Sequence, residues 1–278
     1  MGYLRKIIPY LFLMPALTFS ILFFAIPFVY LVFVSFTERS SFFFKPIITL
    51  DNYIKVFTSY RIDFRNTLML AGIAATIDVI IGYPYAYFMI RKIRRFGDLF
   101  RSLLLIPLMS ELYIAYGFWW LFLPGGPLAF LLESLGISPF AILYSPLAAT
   151  LALAVYTLPF TVLQEGISLS QIDPVYEEAA NCLGSNPLKR FVYVLLPLSL
   201  PGIISGWLIS FGWNVGAYAI PFLMGGVTIG QRVLSVQIRA VGLLMMNFGL
   251  AAALAVILVV LSTSLTYISF KVSRGMMV

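Results

Sequence analysis

The sequence predicts an all-α polytopic membrane protein with six transmembrane helices, and three observations carry that reading. Of 278 residues, 61% are hydrophobic and only 10% charged, whereas a soluble domain carries about a quarter charged residues. Six stretches are long and apolar enough to cross a hydrocarbon core, which takes about 20 residues for a thickness of roughly 30 Å. The few basic residues gather in short stretches between those runs, where topology determinants belong.

The first span lies within Ile7–Thr37, a run without charge, bent or tilted at Pro15 or Pro27. Its length exceeds the roughly 7–15-residue apolar region of a signal peptide, so it reads as a retained helix. The second lies within Asn66–Ile90, interrupted only by Asp78. The third covers about Ser102–Leu123 and contains Glu111, close to Pro107 and beside Tyr113 and Tyr116. The fourth falls within Pro139–Gln164, the fifth covers about Leu200–Met224, and the sixth about Asn247–Phe270. The chain therefore reads as one transmembrane domain over 1–278, with an N-terminal helix at about 7–37, core helices over about 66–270 and a loop at about 164–200. An abundance of Phe (25) and Tyr (16) fits rings settling at headgroup level.

An even number of spans places both termini on one side of the bilayer. Arg5 and Lys6 precede the first span, Arg91, Lys92, Arg94, Arg95 and Arg101 separate the second from the third, and Lys271 and Arg274 follow the sixth. The positive-inside rule makes these segments cytoplasmic, and with them the 164–200 loop. The 38–65 loop, assigned outside, carries five bases against three acids, but the dense 91–101 cluster flanks two spans closely and decides the orientation.

Composition also excludes chemistry. With no histidine, imidazole-based catalysis, His-metal sites and imidazole proton relays are gone. The one cysteine, Cys182, cannot form an intrachain disulfide. The net charge of +7 has no basic, aromatic-interleaved face behind it, so nucleic acid is not an expected partner. Intramembrane ionisable groups are costly and hence functional candidates. Asp78 and Glu111 could hold a cationic solute through charge-assisted bonds, or Asp78 could pair with a neighbouring helix and Glu111 lie at the interface. Gly202, Gly206, Gly212 and Gly216 form two small-xxx-small pairs suited to close helix packing. Trp213, Asn214 and Tyr218 on the same span line either a translocation path or a subunit interface.

The most specific signal is cytoplasmic. Asp173 can cap a short helix begun by Pro174, Glu177 and Glu178 sit near its positive end, and Gly184 stands where a left-handed terminus is wanted. Asn186-Pro187 then starts a second helix, carrying Lys189 and Arg190 and ending near Pro197. Small Ala179 and Ala180 leave room for another protein to approach. The order Glu178-Ala179-Ala180, three residues, Gly184, nine residues, Val194, one residue, Leu196-Pro197 resembles the "EAA" loop of binding-protein-dependent ABC importer permeases of type I.

That resemblance implies a non-catalytic permease subunit whose loop docks into a groove of a separate ATPase. Glu178 and Gly184 are its key residues, with Glu177, Ala179, Ala180, Leu196 and Pro197 around them. It implies two ABC ATPase subunits carrying ATP and Mg, a second permease subunit (copy or paralogue) and an extracytoplasmic solute-binding protein, in the lipid bilayer of the cell membrane. No cofactor is expected on this chain: nothing matches G-x-x-x-x-G-K-[ST], and the Gly225–Gly230 cluster lacks the lysine. Leu50-Asp51-Asn52-Tyr53, Asn66-Thr67-Leu68, the 82–88 run and the 220–226 run resemble the spermidine/putrescine-type branch, whose members import polyamines, ferric iron, opines or oxyanions. Phe96-Gly97-Asp98-Leu99-Phe100-Arg101 is shared with glycerol-phosphate and sugar permeases. The alternative is an ion-gradient-driven secondary transporter using Asp78 and Glu111.

Overall fold

The structure is a computed structural model, and it describes residues 13–38, 47–92, 97–136, 142–225 and 232–274. Arg5, Lys6, Arg39, Lys45, Arg94, Arg95, Phe96 and the Gly226–Gly230 stretch lie outside the described residues. Among the described residues helices joined by short turns make up the backbone, and its only extended pairing is a single bridge between Thr37 and Ile48.

Among the described residues, five helices are long and apolar enough to cross a membrane. They are α1 (Leu13–Ser35), α3 (Arg61–Lys92), α7 (Pro146–Gln171), α9 (Pro187–Gly216) and α12 (Phe248–Arg274). Between them come α2 (Asp51–Ser59), α4 (Gly97–Leu105), α5 (Glu111–Leu121), α6 (Pro127–Ser134), α8 (Pro174–Cys182), α10 (Ala219–Leu223) and α11 (Leu234–Leu244).

The third expected span is broken. Ser102–Met109 and Glu111–Leu121 are together long and apolar enough for a crossing but meet at 93° across Ser110, a broken span or a re-entrant turn, which makes five to six crossings among the described residues. The cause is local. Pro107 sits in a tight 3₁₀ turn, Ser110 is extended, and its hydroxyl accepts from the amide of Leu112 at 3.2 Å, opening a new helix.

Prolines elsewhere are absorbed rather than terminating. Pro27 and Pro197 each follow a π-turn, Ile21–Ala25 and Phe191–Leu195, by two residues. The carbonyl four residues before each proline, with which its ring would otherwise clash, therefore falls inside the wider turn. The helix expected to end near Pro197 instead runs unbroken from Pro187 to Gly216. Likewise α7 continues past Gln164 to Gln171, which shortens the elbow between the two to 172–186.

Two compact units divide the chain. One comprises 1–61 and 237–257. Within it the Asn52 side chain donates to the carbonyls of Ser35 (2.9 Å) and Thr37 (2.8 Å), satisfying the end of α1. Gly249 packs against the same turn so closely that a Cβ there would lie 2.1 Å from the Thr37 carbonyl oxygen. Nearly all of α1 is exposed on this chain (Phe19, Phe23 and Phe24 among its rings), as befits a helix apolar on every side whose solvent is lipid.

The other unit comprises 62–236 and 258–278. Its centre is a seam where α3, α7 and α9 meet with polar and small residues every fourth position. Asp78 and Gly82 come from α3, Thr157, Thr161 and Glu165 from α7, and Gly202, Gly206, Ser210 and Asn214 from α9. The expected small-xxx-small packing resolves into two surfaces. Gly202 and Gly206 abut Ser168 and Thr161 of α7, whereas Gly212 faces Thr266 and Ser262 of α12. Gly216 meets nothing within 4 Å.

Candidate functional site

The elbow is built by capping chemistry at every corner. Asp173 accepts from the amide of Val175 at 2.9 Å and starts α8 at Pro174. At its end Gly184 takes φ +77°, and the amides of Gly184 and Ser185 return to the carbonyls of Asn181 (2.9 Å) and Ala180 (3.1 Å). Asn186 then accepts from the amide of Lys189 at 2.7 Å and launches α9.

The two neighbouring acids of α8 have different surroundings. Glu177 turns inward, its side chain 12% exposed, and forms ion pairs with Arg91 Nε (3.1 Å) and Arg190 Nε (3.5 Å). Tyr87 donates to its Oε2 at 3.2 Å. Arg91 also donates to the carbonyls of Leu169 (3.2 Å) and Ile172 (2.5 Å) at the end of α7. One guanidinium thus joins the end of α3, the end of α7 and the elbow. Glu178 and Ala179 face outward, Ala180 is half-buried, and Gly184 is exposed. Around them stand exposed Val175, Tyr176 and Leu183, the last 88% accessible. Leu196 and Pro197 lie further along α9, away from this surface in sequence and inside the long helix.

Asp78 belongs to the seam. Thr157 and Ser210 donate to its Oδ2 at 2.7 and 2.6 Å, and the Asn214 side-chain amide donates to Thr157 Oγ1 at 2.9 Å. Asp78 is 1% exposed and Asn214 is buried, so both knit three helices together. Glu165 is the residue that sequence reasoning missed. It is fully buried, neither carboxylate oxygen has a hydrogen-bond partner, and it packs where a Cβ on Gly82 would come within 2.8 Å of Oε2. The spacing Thr157, Thr161, Glu165 on one helical face was the available signal. It went unused because the span was expected to end at Gln164.

The remaining candidates separate. Glu111 opens α5, and its Oε1 accepts from the Ile220 amide at 2.9 Å at the start of α10. Glu111 and Trp213 line one cavity of about 320 Å³, together with Tyr156, Gly212, Gly216, Ala217, Ser262 and Thr266. Tyr218 stacks on Phe222 with ring centroids 5.4 Å apart, and Tyr113 stands on the surface, largely exposed.

No protein-family model matches the chain. It is 31% identical over 267 residues to the spermidine/putrescine transport system permease protein PotB of Haemophilus influenzae, covering 93% of this chain and 92% of that protein. It is 28% identical to the inner membrane ABC transporter permease protein YdcU of Escherichia coli, covering 78% of this chain and 73% of that one. Among solved structures it superposes on a bacterial alginate ABC transporter in complex with an alginate-pentasaccharide-bound periplasmic protein. There the TM-score is 0.76 at 17% identity, over 98% of this chain and 95% of that one. The chain belongs to the permease subunits of ABC importers, the non-catalytic membrane components, in the family that includes the spermidine/putrescine permease PotB.

Proposed function

We propose that this chain forms one half of the translocation path of an importer that moves a small solute, a polyamine-like cation or a related ligand, inward by alternating access. ATP bound with Mg on two separate ABC ATPase subunits supplies the energy. A second permease subunit, a copy or a paralogue, completes the path, and an extracytoplasmic solute-binding protein delivers the cargo. Residues 1–278 serve as a single permease domain in the cell membrane. Both termini and the elbow face the cytoplasm, on the side marked by Arg91, Lys92 and Lys271.

One observation carries the proposal. The elbow presents an acid, a small residue and bare apolar side chains (Glu178, Ala179, Val175, Tyr176, Leu183) on its outer face. Its inner face is tied by Glu177 to two helices that reach into the unit. A surface that is apolar, exposed and rigidly backed suits a groove on another protein. The polyamine-type cargo rests on the kinship with PotB.

The test is uptake by the assembled transporter in proteoliposomes. Glu178→Lys combined with Gly184→Ala is expected to abolish ATP-dependent uptake and release the ATPase from the complex. Uptake that persists in this variant, or that proceeds without ATP, would overturn the reading.

A further inference from the structure

Resting on the importer function proposed above, the geometry points to the cavity beside Glu111 as the seat of an alkylammonium group of the transported solute. Four helices supply its walls: Glu111 from α5, Tyr156 from α7, Gly212, Trp213 and Gly216 from α9, and Ser262 and Thr266 from α12.

Charge selects the ligand class. Glu111 is the one acid among the lining residues and no lysine or arginine joins it, in a chain whose net charge is +7. Its Oε1 accepts from the Ile220 amide at 2.9 Å, and the backbone amides of Ala219 and Tyr218 also donate to this carboxylate. A carboxylate has lone pairs for about four donors, so these backbone bonds at the start of α10 orient the group and leave room for one further donor. An ammonium would find a charge-assisted partner there, and an anionic solute would meet repulsion.

The aromatic walls fit the same ligand. Trp213 stacks on Phe160 with centroids 4.9 Å apart and planes 12° off parallel, so its indole is held in place while half its surface stays exposed in the cavity. A fixed indole with Tyr156 nearby offers faces for a cation. Thr266 donates its hydroxyl hydrogen to the Ser262 carbonyl at 2.9 Å, which leaves its oxygen as an acceptor. The wall is kept open by glycine: a Cβ at Gly216 would meet nothing within 4 Å, and one at Gly212 would first meet Thr266 Oγ1 at 3.5 Å. About 320 Å³ accommodates a short, extended amine chain.

The experiment is competition uptake by the complete transporter, with its binding protein, in proteoliposomes. Radiolabelled putrescine and spermidine are the probes, with maltose and sulfate as the neutral and anionic controls. Glu111→Gln keeps the shape and an acceptor for the Ile220 amide, and is expected to raise the KM for the amines about tenfold through loss of one charge-assisted bond. Trp213→Leu is expected to raise KM as well, and Gly216→Leu, whose Cβ would meet nothing within 4 Å, to block amine uptake by filling the cavity. An unchanged KM in Glu111→Gln, or unimpeded amine uptake in Gly216→Leu, overturns the assignment. ATP-driven uptake of maltose or sulfate in place of amines also overturns it while leaving the importer reading intact. Absence of ATP-driven uptake for every probe overturns both.

Discussion

Two glycines on α9, given the same substitution, should behave in opposite ways. A Cβ on Gly202 would lie 2.3 Å from Ser168 Cβ, 2.9 Å from its Oγ and 3.1 Å from the Gln164 carbonyl oxygen. Ordinary carbon contacts begin near 3.5 Å, so Gly202→Ala is short of space by about 1 Å. The obstacle is the body of a neighbouring helix, and a side-chain rotation cannot clear it. The helices must part, loosening the contact of Gly206 with Thr161 one turn away. Overpacking of this kind costs about 1–3 kcal/mol, which corresponds to roughly 2–5 °C in Tm for a chain of this size. Gly216→Ala meets nothing within 4 Å and gains up to about 1 kcal/mol of helix propensity, so it should melt at or slightly above the parent temperature. Thermal unfolding of the purified protein in detergent, followed by tryptophan fluorescence, reads both. Ser168→Gly added to Gly202→Ala removes the colliding atoms and should recover more than about 1 kcal/mol relative to additivity. Equal melting of the two alanine variants, or no recovery in the double variant, would refute the close-packing argument.

Three more outcomes follow from the same contacts. Glu177→Gln severs both ion pairs but leaves the outer face of α8 intact. Uptake should fall while the ATPase still co-purifies, whereas Glu178→Lys should lose the ATPase itself, as checked by affinity capture and transport side by side. Thr157→Val removes the hydroxyl that serves both Asp78 and Asn214 and should destabilise by about 1–3 kcal/mol. The same change at Thr58, which is exposed and bonds only within its own helix, should cost under about 0.5 kcal/mol in the same melting assay. Asn52→Ala strips the end of α1 of two side-chain bonds and should lower stability by about 1–3 kcal/mol, read as increased proteolysis between α1 and α2.

What was legible in the sequence was whatever depends on neighbours in sequence. The elbow's corners could be read because Asp173, Pro174, Gly184, Asn186 and Pro187 act on the backbone within a few residues of themselves. The apolar runs could be read because lipid imposes one requirement on every exposed position. Boundaries failed where a local signal was absorbed by a local remedy: Pro197 looks like a stop, but the π-turn at Phe191–Leu195 removes its clash and the helix continues. Within the third apolar run the bend at Ser110 went unread, since it breaks a stretch that composition alone treats as continuous. The spacing Thr157, Thr161, Glu165 marked a face, but what Glu165 packs against and the inward turn of Glu177 lay beyond the sequence for a deeper reason. Each is defined by residues on other helices, Gly82 for one and Arg91 for the other. Adjacent glutamates on a short helix differ only by about 100° of rotation, which the helix itself does not rank.

The same contacts constrain how motion can pass through this unit. Asp78, Thr157, Ser210 and Asn214 bind α3, α7 and α9 by side-chain hydrogen bonds in a buried, low-dielectric seam, where breaking a bond without replacement is costly. Close approach at Gly202 and Gly206 adds steric interlock to two of the three helices. At the elbow end, Arg91 and Glu177 fasten the same three helices to α8. A force applied to the outer face of α8 would therefore move α3, α7 and α9 as a body rather than shear them apart. The cavity is different, because only two of its walls belong to that body. Tyr156 and Trp213 come from α7 and α9, whereas Glu111 comes from α5, bonded to backbone at the start of α10, and the α12 wall touches Gly212 at ordinary contact distance. Widening or closing around a bound solute would therefore displace the α5 and α12 walls relative to the α7 and α9 walls.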